Sequence, residues 1–329
     1  MNKYKHYYYY LLLFIIALGL VFLGLVLGSV DIDIISYLKG EADQTTVYII
    51  NNIRLPRVLM SVLAGAGLAV CGAAYQAIFR NPLSDPYILG VSSGASLGAS
   101  LAIVFGLEGL FFGISGFAFA FALFTVWFIV KISSIGNRLH NTTLLLSGIS
   151  INFLMASIIS LLMVMNKESM DKIIFWTMGS MSSAKFSDLG IVLFFVLLGI
   201  VVIRIFAKEL NILLTGSETA RSLGVDVEKT KKIILFFSTL MIAVIVSYCG
   251  VIGFIGLIVP HIIRLLVGSD NRKIIPYSIF GGIIFTLIAD ILARTLISPS
   301  ELPIGSITSI VGAPFFIFLL YNAKKKLNP

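Results

Sequence analysis

The sequence places several charged side chains inside or beside long apolar runs. Their types and spacing indicate ion pairing or the binding of charged groups. Arg54 and Arg57 flank Pro56 just before one run, and Asp290 lies deep in another with Arg294 four residues later. Because residues four apart share a helix face, Asp290 and Arg294 predict a structural ion pair. Guanidinium groups bind carboxylates, so Arg54, Arg57 and Arg294 predict a docking site for an acidic partner; snorkelling to lipid headgroups is the alternative.

Hydroxyl-bearing residues follow helical spacing near the middle of the chain. On a helix they would share one face, because their spacings are about 3.6 residues or multiples of it. These residues are Thr143, Ser147, Ser150 and Ser157. Such a stripe lines a water-filled path or forms hydrogen bonds between helices, and the sequence leaves both readings open.

Residue patterns typical of enzymes are missing from the sequence. It contains no Gly-x-x-x-x-Gly-Lys phosphate loop, no nucleophile placed with a base and no pair of catalytic carboxylates. Cys71 and Cys249 lie in apolar runs, and no cluster of cysteine and histidine has metal-ligand spacing. We therefore expect a protein that is not an enzyme and that needs no cofactor or metal.

The composition is that of a protein embedded in a lipid bilayer. Of the 329 residues, 58% are hydrophobic and 12% are charged, and the mean hydropathy is +1.02. Soluble domains carry roughly 25% charged residues. Apolar runs recur from Leu11 to Tyr321 without a long polar stretch, so we expect one all-α, polytopic transmembrane domain over residues 1–329.

Ten apolar runs are long enough, or nearly so with tilt, to cross about 30 Å of hydrocarbon. They are 8–27, 58–79, 88–105, 111–130, 144–165, 189–207, 233–249, 252–267, 274–296 and 304–321. Glycines interrupt the sequence near 248–256 without a polar loop, which fits either two short helices or one broken helix. A division into five and five spans would give two halves of opposite orientation, as in many transporters.

The basic residues predict how the chain is oriented. With the N-terminus inside, about 17 of the 24 lysine and arginine residues fall in cytoplasmic segments, as the positive-inside rule requires. We therefore expect a multi-pass protein of the cytoplasmic (inner) membrane with both termini cytoplasmic. The same bias accounts for the net charge of +8, so membrane lipid is an expected partner and nucleic acid is not.

The cytoplasmic segment 208–232 is the most polar stretch on the inner side. Its charged and apolar residues alternate, which predicts a short amphipathic helix at the membrane surface that ends at Gly224 as a C-cap. Long loops in compact proteins are usually functional or disordered, so we expect this segment to dock a partner and not merely to connect two spans. The candidate docking residues are Gly216, Glu218, Ala220, Arg221, Leu223 and Gly224.

Several sequence blocks, in order along nearly the whole chain, resemble the FecCD family of ABC importer permeases. In the first half they are 54–57 (RLPR), 65–69 (GAGLA), Gln76, 81–86 (NPLSDP) and 89–95 (LGVSSGA). In the second half they are 223–225 (LGV), 253–264 (GFIGLIVPHIIR), 289–290 (AD), 301–305 (ELPIG) and 312–314 (GAP). Each block alone is moderately specific, and the ordered combination is a strong signal.

The resemblance implies the type II ABC importer permease architecture. In this architecture two copies of a ten-helix subunit surround a central pathway, with two ATP-binding subunits inside and an extracytoplasmic substrate-binding protein outside. The cargo in the family is an iron-siderophore complex, haem or cobalamin. By position, Arg54, Arg57 and Arg294 match the external arginines that meet acidic residues of the binding protein.

The resemblance also implies a gate and a coupling site on the cytoplasmic side. The gate positions are Asn81, Leu83, Asn141, Thr142 and Thr143. The stretch 216–225 matches the coupling helices that contact the ATP-binding subunits. Ser217 stands there at a position that is usually acidic, and Glu218 is the next residue.

An ion-coupled secondary transporter is the alternative from a different class of protein. Such a transporter would be expected to carry unpaired ionisable residues near the middle of the membrane. Only Asp290 qualifies, and its predicted partner Arg294 argues against that role. A structural scaffold, the third hypothesis, leaves the external arginines and the polar cytoplasmic segment unexplained.

Overall fold

Most of the chain is helical in the computed structural model, which describes residues 3–110, 112–135 and 138–327. The α-helices are α1 (Lys3–Val26), α2 (Ile34–Lys39), α3 (Gln44–Tyr48), α4 (Leu55–Ile78), α5 (Val91–Val104), α6 (Gly113–Ser133), α7 (Asn141–Met165), α8 (Met170–Thr177), α9 (Phe186–Ile205), α10 (Ala207–Leu213), α11 (Ser217–Ser222), α12 (Val227–Cys249), α13 (Ile255–Val267), α14 (Asn271–Thr295) and α15 (Ile304–Leu327). A π-helix at Ile49–Arg54 precedes α4, and 3₁₀ turns lie at Pro86–Leu89, Leu107–Gly109 and Lys167–Ser169. A two-residue antiparallel ladder joins β1 (Ser134–Ile135) to β2 (Arg138–Leu139).

Ten apolar helices in the described part of the chain correspond to the ten predicted spans. Helices α1, α4, α6, α7, α9, α12 and α14 are long and apolar enough to cross a membrane, whereas α5, α13 and the apolar part of α15 are shorter. The prediction of an all-α protein with about ten spans is confirmed. Residue 111, the predicted start of the fourth span, and the terminal residues 1–2 and 328–329 lie outside the described residues. We call the two faces outer and inner, following the orientation predicted from the basic residues.

Helix α4 lies at the centre of the fold because glycines let its neighbours approach closely. It is buried along most of its length and packs against α14, α13, α9 and α12. A Cβ atom at Gly65 would overlap the backbone of Gly282 in α14. One at Gly72 would overlap the carbonyl group of Gly256 in α13. Backbone-to-backbone contacts of this kind are typical of membrane helices, whose association depends on van der Waals packing.

The chain is not helical between α12 and α13, where residues 250–254 run through the packed interior. Of the two arrangements that the sequence allowed, the structure has two separate helices. Phe254 adopts a left-handed φ of +68° and packs against Gly312. The Tyr87 hydroxyl donates to the carbonyl group of Ile252 at 3.1 Å and accepts from its amide at 3.4 Å. Because hydrocarbon offers no partners, irregular backbone at this depth must be satisfied by protein, and Tyr87 does so.

Segment 208–232 does not form the single amphipathic helix that the sequence predicted. It contains most of α10, all of α11 and the start of α12, and the chain turns at Gly216, whose φ of +120° favours glycine. The predicted helix end at Gly224 is confirmed by its φ of +81°. The amides of Gly224 and Val225 donate to carbonyl groups of the last helical turn at 3.0 Å, which is the Schellman pattern.

We expect substitution of Gly72 to disrupt the contact between α4 and α13. In Gly72→Ala the added methyl group would overlap a backbone carbonyl that cannot rotate away, so the helices must separate. Gly190→Ala is the matched control, because a Cβ there meets nothing within 4 Å. Thermal unfolding in detergent should show Gly72→Ala destabilised by about 1–3 kcal/mol or more, with the control unchanged or slightly stabilised. Equal melting temperatures would contradict the close packing.

Candidate functional site

Charged side chains meet at the outer ends of α4 and α14. We call them the outer charge cluster, and its members are Arg54, Arg57, Asp290, Arg294 and Glu301. Arg57 is central: its Nε donates to Oδ1 of Asp290 at 2.8 Å, and its Nη1 donates to Oε2 of Glu301 at 2.7 Å. Both contacts join residues more than 230 positions apart, so no local sequence pattern predicted them. The only sequence signal for Glu301 was its place in the block 301–305.

The ion pair predicted between Asp290 and Arg294 is confirmed. Nη2 of Arg294 lies 3.1 Å from Oδ2 of Asp290, one helical turn away in α14. The same nitrogen donates to the carbonyl group of Gly24 in α1 at 3.1 Å. Asp290 therefore neutralises charge on two guanidinium groups, those of Arg57 and Arg294, and not only on the one that the sequence indicated.

Arg54 holds the outer end of α1 against the start of α4. Its guanidinium group donates to the carbonyl groups of Leu25, Val26 and Val30, the first at 2.8 Å. The last carbonyl groups of a helix lack partners within that helix. A cation there satisfies them and interacts favourably with the helix dipole.

The burial of the three arginines corrects one expectation from the sequence. Only 4% of Arg54, 4% of Arg57 and 2% of Arg294 is exposed, whereas one of the two readings of the sequence placed guanidinium groups at the lipid headgroups. Guanidinium groups that are buried inside the protein do not reach the lipid headgroups. Docking of an acidic partner through these arginines stays a prediction. The side chain of Glu301, 32% exposed, is the member of the cluster most open to an approaching protein.

The predicted gate residues lie where the inner ends of α4 and α7 meet. Nδ2 of Asn141 donates to the carbonyl group of Ile78 at 3.3 Å, and its Oδ1 accepts from Nζ of Lys231 at 3.0 Å. Asn141 therefore connects α4, α7 and α12. Sequence reasoning overlooked Lys231, which it counted only as one of the inner basic residues.

The other predicted gate turn follows the inner end of α4. The Asn81 side chain accepts from the amide of Leu83 at 2.9 Å, which fixes an Asx turn beside Pro82. Asn81, Leu83 and Thr142 are exposed, and Thr143 is half-buried. The structure thus brings the two predicted turns to one inner surface, and the bond from Asn141 to α4 joins them.

Glu228 connects this gate region to the polar inner segment. One of its carboxylate oxygens accepts from the amide of Leu139 at 2.9 Å, two residues before Asn141. The other lies 3.2 Å from Nη2 of Arg221 in α11. We call Arg221, Glu228, Leu139, Asn141 and Lys231 the inner network. The sequence did not indicate Glu228, because a side chain that pairs with a backbone amide 89 residues away leaves no local pattern.

Four of the six candidate docking residues of segment 208–232 are exposed. They are Glu218, Arg221, Leu223 and Gly224. Leu223 is 61% exposed between charged residues, and an apolar side chain inside a polar rim is typical of a protein interface. Gly216 is half-buried. Ala220 is fully buried and packs within its own chain, which corrects its assignment as a direct partner contact.

Helix α10 fixes this segment to the rest of the protein. Nδ2 of Asn211 donates to Oδ1 of Asp270 at 2.6 Å, and Oδ1 of Asn211 accepts from the amide of Asn271 at 2.7 Å. Hydrogen bonds from Arg272, and also from Asn211, lower the pKa of Asp270 to about 2. Asp270 therefore stays ionised at physiological pH and keeps accepting from α10.

The hydroxyl stripe predicted in the fifth span lies on a partly exposed face of α7. Ser150 and Ser157 are exposed, and Thr143 and Ser147 are half-buried. The Ser133 hydroxyl donates to Ser147 at 3.2 Å, which is a hydrogen bond between helices as one of the two readings expected. The other reading, a lining of the pathway, stays a prediction.

Replacing Asp290 should destabilise the protein far more than replacing Glu301. Asp290→Asn would leave Arg57 and Arg294 as neighbouring buried cations, and breaking a buried pair in this way costs about 3–5 kcal/mol. Glu301→Gln, at a partly exposed position, should cost about 1 kcal/mol or less. Thermal unfolding in detergent measures both. Equally small losses would show that the charge of Asp290 does not hold the cluster together.

Comparison with known proteins finds relatives that match most of the chain. The FecCD transport family model matches residues 12–322. The cobalamin import system permease protein BtuC of Halobacterium salinarum is 40% identical, over 86% of this chain and 76% of that protein. The hemin transport system permease protein HmuU of Yersinia pestis is 40% identical over 84% of each chain. The Fe(3+)-citrate import system permease protein YfmD of Bacillus subtilis is 36% identical over 93% of each.

A solved structure supports the fold independently. An inward-facing conformation of a metal-chelate type ABC transporter superposes with a TM-score of 0.83 at 31% identity, covering 94% of this chain and 97% of that one. The predicted type II permease architecture is therefore confirmed. With its family model spanning almost the whole chain, the protein belongs to the FecCD transport family, the membrane permeases of ABC importers.

Proposed function

We propose that the protein is the permease subunit of an ATP-driven importer that moves an iron-siderophore complex or a related metal chelate across the cytoplasmic membrane by alternating access. The observation that carries this proposal is the inner network, which joins an exposed partner surface to the gate by direct hydrogen bonds. Relatives named for cobalamin, hemin and iron citrate support an organic metal complex as the class of cargo.

The working transporter would contain a second copy of the chain, two ATP-binding subunits and an extracytoplasmic substrate-binding protein. Helices α7 and α15 support the pairing of two copies, because each exposes a row of large apolar side chains. Among them are Phe153 at 72%, Leu161 at 62%, Ile310 at 69% and Ile317 at 66% exposure. The second copy and membrane lipid would cover these faces. ATP hydrolysis would belong to the partner subunits, with both termini of this chain cytoplasmic.

The inner network supplies a route from ATP to the gate. An ATP-binding subunit that contacts Leu223 and Arg221 would displace α11 when it closes on ATP. Glu228 would carry that displacement to Leu139, because it is bonded to both α11 and the strand before α7. Since Asn141 follows two residues later, the start of α7 would shift relative to α4 and open or close the inner turns.

The outer charge cluster supports docking of the binding protein at the opposite face. Arg54, Arg57 and Arg294 all line one outer cavity of about 110 Å³, together with Glu301. An acidic group of the binding protein would compete there with Glu301 for Arg57. Because Arg57 is only 4% exposed, such a pair would form only if Glu301 moves aside, and its main effect would be to fix the orientation of the binding protein.

An ion-coupled secondary transporter is not favoured by this geometry. Its coupling ion would need an unpaired carboxylate near the middle of the membrane. Asp290 is fully buried between Arg57 and Arg294, so it is already neutralised and closed to water.

Uptake into proteoliposomes should depend on ATP hydrolysis by the partner subunits. The transporter is reconstituted with its ATP-binding subunits and binding protein, and uptake of iron citrate, hemin and cobalamin is measured with ATP and with a non-hydrolysable analogue. We expect uptake of at least one of these complexes with ATP and no uptake with the analogue. Uptake driven by a proton or sodium gradient without nucleotide would establish the secondary transporter instead.

Glu228→Leu should uncouple ATP hydrolysis from transport. The variant loses a partly exposed ion pair with Arg221, worth about 0.2–1 kcal/mol, and a charge-assisted bond to the Leu139 amide, worth about 1.5–3 kcal/mol. We therefore expect coupled uptake to fall about tenfold or more, while the assembled complex still hydrolyses ATP. Glu168→Leu, an exposed glutamate on the other face, is the control. Normal uptake by Glu228→Leu would show that the coupling route lies elsewhere.

A further inference from the structure

A cleft of about 360 Å³, with several polar side chains in a largely apolar lining, lies between α5, α7 and α8, away from the predicted inner gate and from the outer charge cluster. Its polar lining consists of Ser92, Ser93, Ser96, Asn152, Ser160 and Thr177. The other lining residues are aliphatic or thioether side chains, and none of them is ionisable. The predicted hydroxyl stripe of α7 does not contribute to the cleft, because it lies on the opposite face of that helix from Asn152.

Two serine hydroxyls in this cleft have no hydrogen-bond partner within the described residues. Ser96 is only 6% exposed, and the bond from the Ser100 hydroxyl is accepted by its backbone carbonyl and not by its hydroxyl. Ser92 is half-buried and likewise makes no side-chain bond in the described part of the chain. Both hydroxyls are therefore free to bond to whatever fills the cleft.

The amide of Asn152 adds a third free group with a fixed direction. The Ser93 hydroxyl donates to Oδ1 of Asn152 at 2.6 Å, and this bond leaves Nδ2 without a partner among the described residues. If the amide is turned over, the oxygen faces the cleft instead of the nitrogen, and one polar end is still free. Ser93 thus orients Asn152 across the gap between α5 and α7.

The depth of the cleft makes these free groups informative. Asn152 is near the middle of α7, a helix of 25 residues that is roughly 37 Å long at 1.5 Å per residue. A hydroxyl or amide without a partner in hydrocarbon is costly. Three such groups facing one cleft at mid-membrane depth therefore indicate that water or a polar molecule occupies it.

We propose that this cleft is a subsite of the transport pathway that hydrogen-bonds the oxygen-rich periphery of an organic metal chelate. This inference rests on the proposed function and names how the cargo is contacted inside the membrane. Neutral donors and acceptors fit carbonyl, hydroxyl and carboxylate oxygens of a chelator. A bare metal ion would need carboxylate, imidazole or thiolate ligands, which the lining does not provide. At about 360 Å³ the cleft holds one edge of a chelate, and the rest would lie in the space shared with the second copy.

Cysteine labelling tests whether the cleft is wet. Ser92→Cys and Ser96→Cys are made in the assembled transporter in proteoliposomes and treated with a membrane-impermeant methanethiosulfonate. The native Cys71 and Cys249 are 0% and 1% exposed, so background labelling is low. Ser100→Cys is the matched control, because Ser100 lies one turn further along the same helix, is 1% exposed and does not line the cleft. We expect the two cleft cysteines to react and the control to stay unreactive. Equal protection of all three would overturn the proposal.

Uptake kinetics then test whether the cargo touches the cleft. With the chelate that the wild-type transporter imports, Asn152→Leu should raise KM for uptake about 2- to 10-fold, the range expected for one lost hydrogen bond. Asn152→Gln should restore much of it, and Ser100→Ala should leave KM unchanged. An unaltered KM in Asn152→Leu would overturn the contact. If the wild type shows no ATP-dependent uptake, the proposed function fails, while the labelling result still decides whether the cleft is wet.

Discussion

The backbone contact of α4 with α13 and α14 is the interaction on which the positions of the other sites depend. At Gly65 and Gly72 the backbone of α4 packs directly against backbone carbonyl groups of α14 and α13, which leaves no room for a side chain. A contact of this kind fixes both the distance and the rotation of the helices. As a result the outer end of α4 presents Arg57 to Asp290, and its inner end presents the Ile78 carbonyl to Asn141. Helix α4 thus contributes one residue to the outer charge cluster and another to the contact with Asn141 at the inner face.

The two sites use charge in different ways because they lie in different surroundings. The outer charge cluster is buried, so its arginines are held by carboxylates and carbonyl groups of their own chain, and removal of one partner is costly. The inner network is partly exposed: the side chains of Arg221 and Glu228 retain 43% and 21% exposure. Exposed pairs contribute little stability, so they can break and re-form as the proposed coupling route would require.

Helix α7 links the inner network to the cleft between α5, α7 and α8. Its first residue, Asn141, belongs to the predicted gate and accepts a hydrogen bond from Lys231, and Asn152 lies three turns further along the same helix. A displacement that reaches α7 through Glu228 would therefore move the cleft together with the gate. Such a joint movement would change how the pathway contacts its cargo at the time when the inner side opens.

The sequence by itself determined the features that depend on local pattern. Hydropathy located the ten apolar helices, seven of which are long enough to cross a membrane, because a helix needs about twenty apolar residues to cross lipid. The i,i+4 spacing identified the pair of Asp290 and Arg294. Gly224 was found as a helix end because a left-handed C-cap has its own residue preference. The ordered motif blocks identified the family.

Tertiary structure alone decided which distant groups meet: Arg57 with Asp290, Glu228 with the Leu139 amide, and Asn152 with Ser93. It also decided that the arginines and Ala220 are buried. The physical reason is that burial and long-range hydrogen bonds depend on how helices pack in three dimensions. In a chain that is apolar nearly everywhere, the hydrophobic pattern does not distinguish the lipid-facing side of a helix from its packed side.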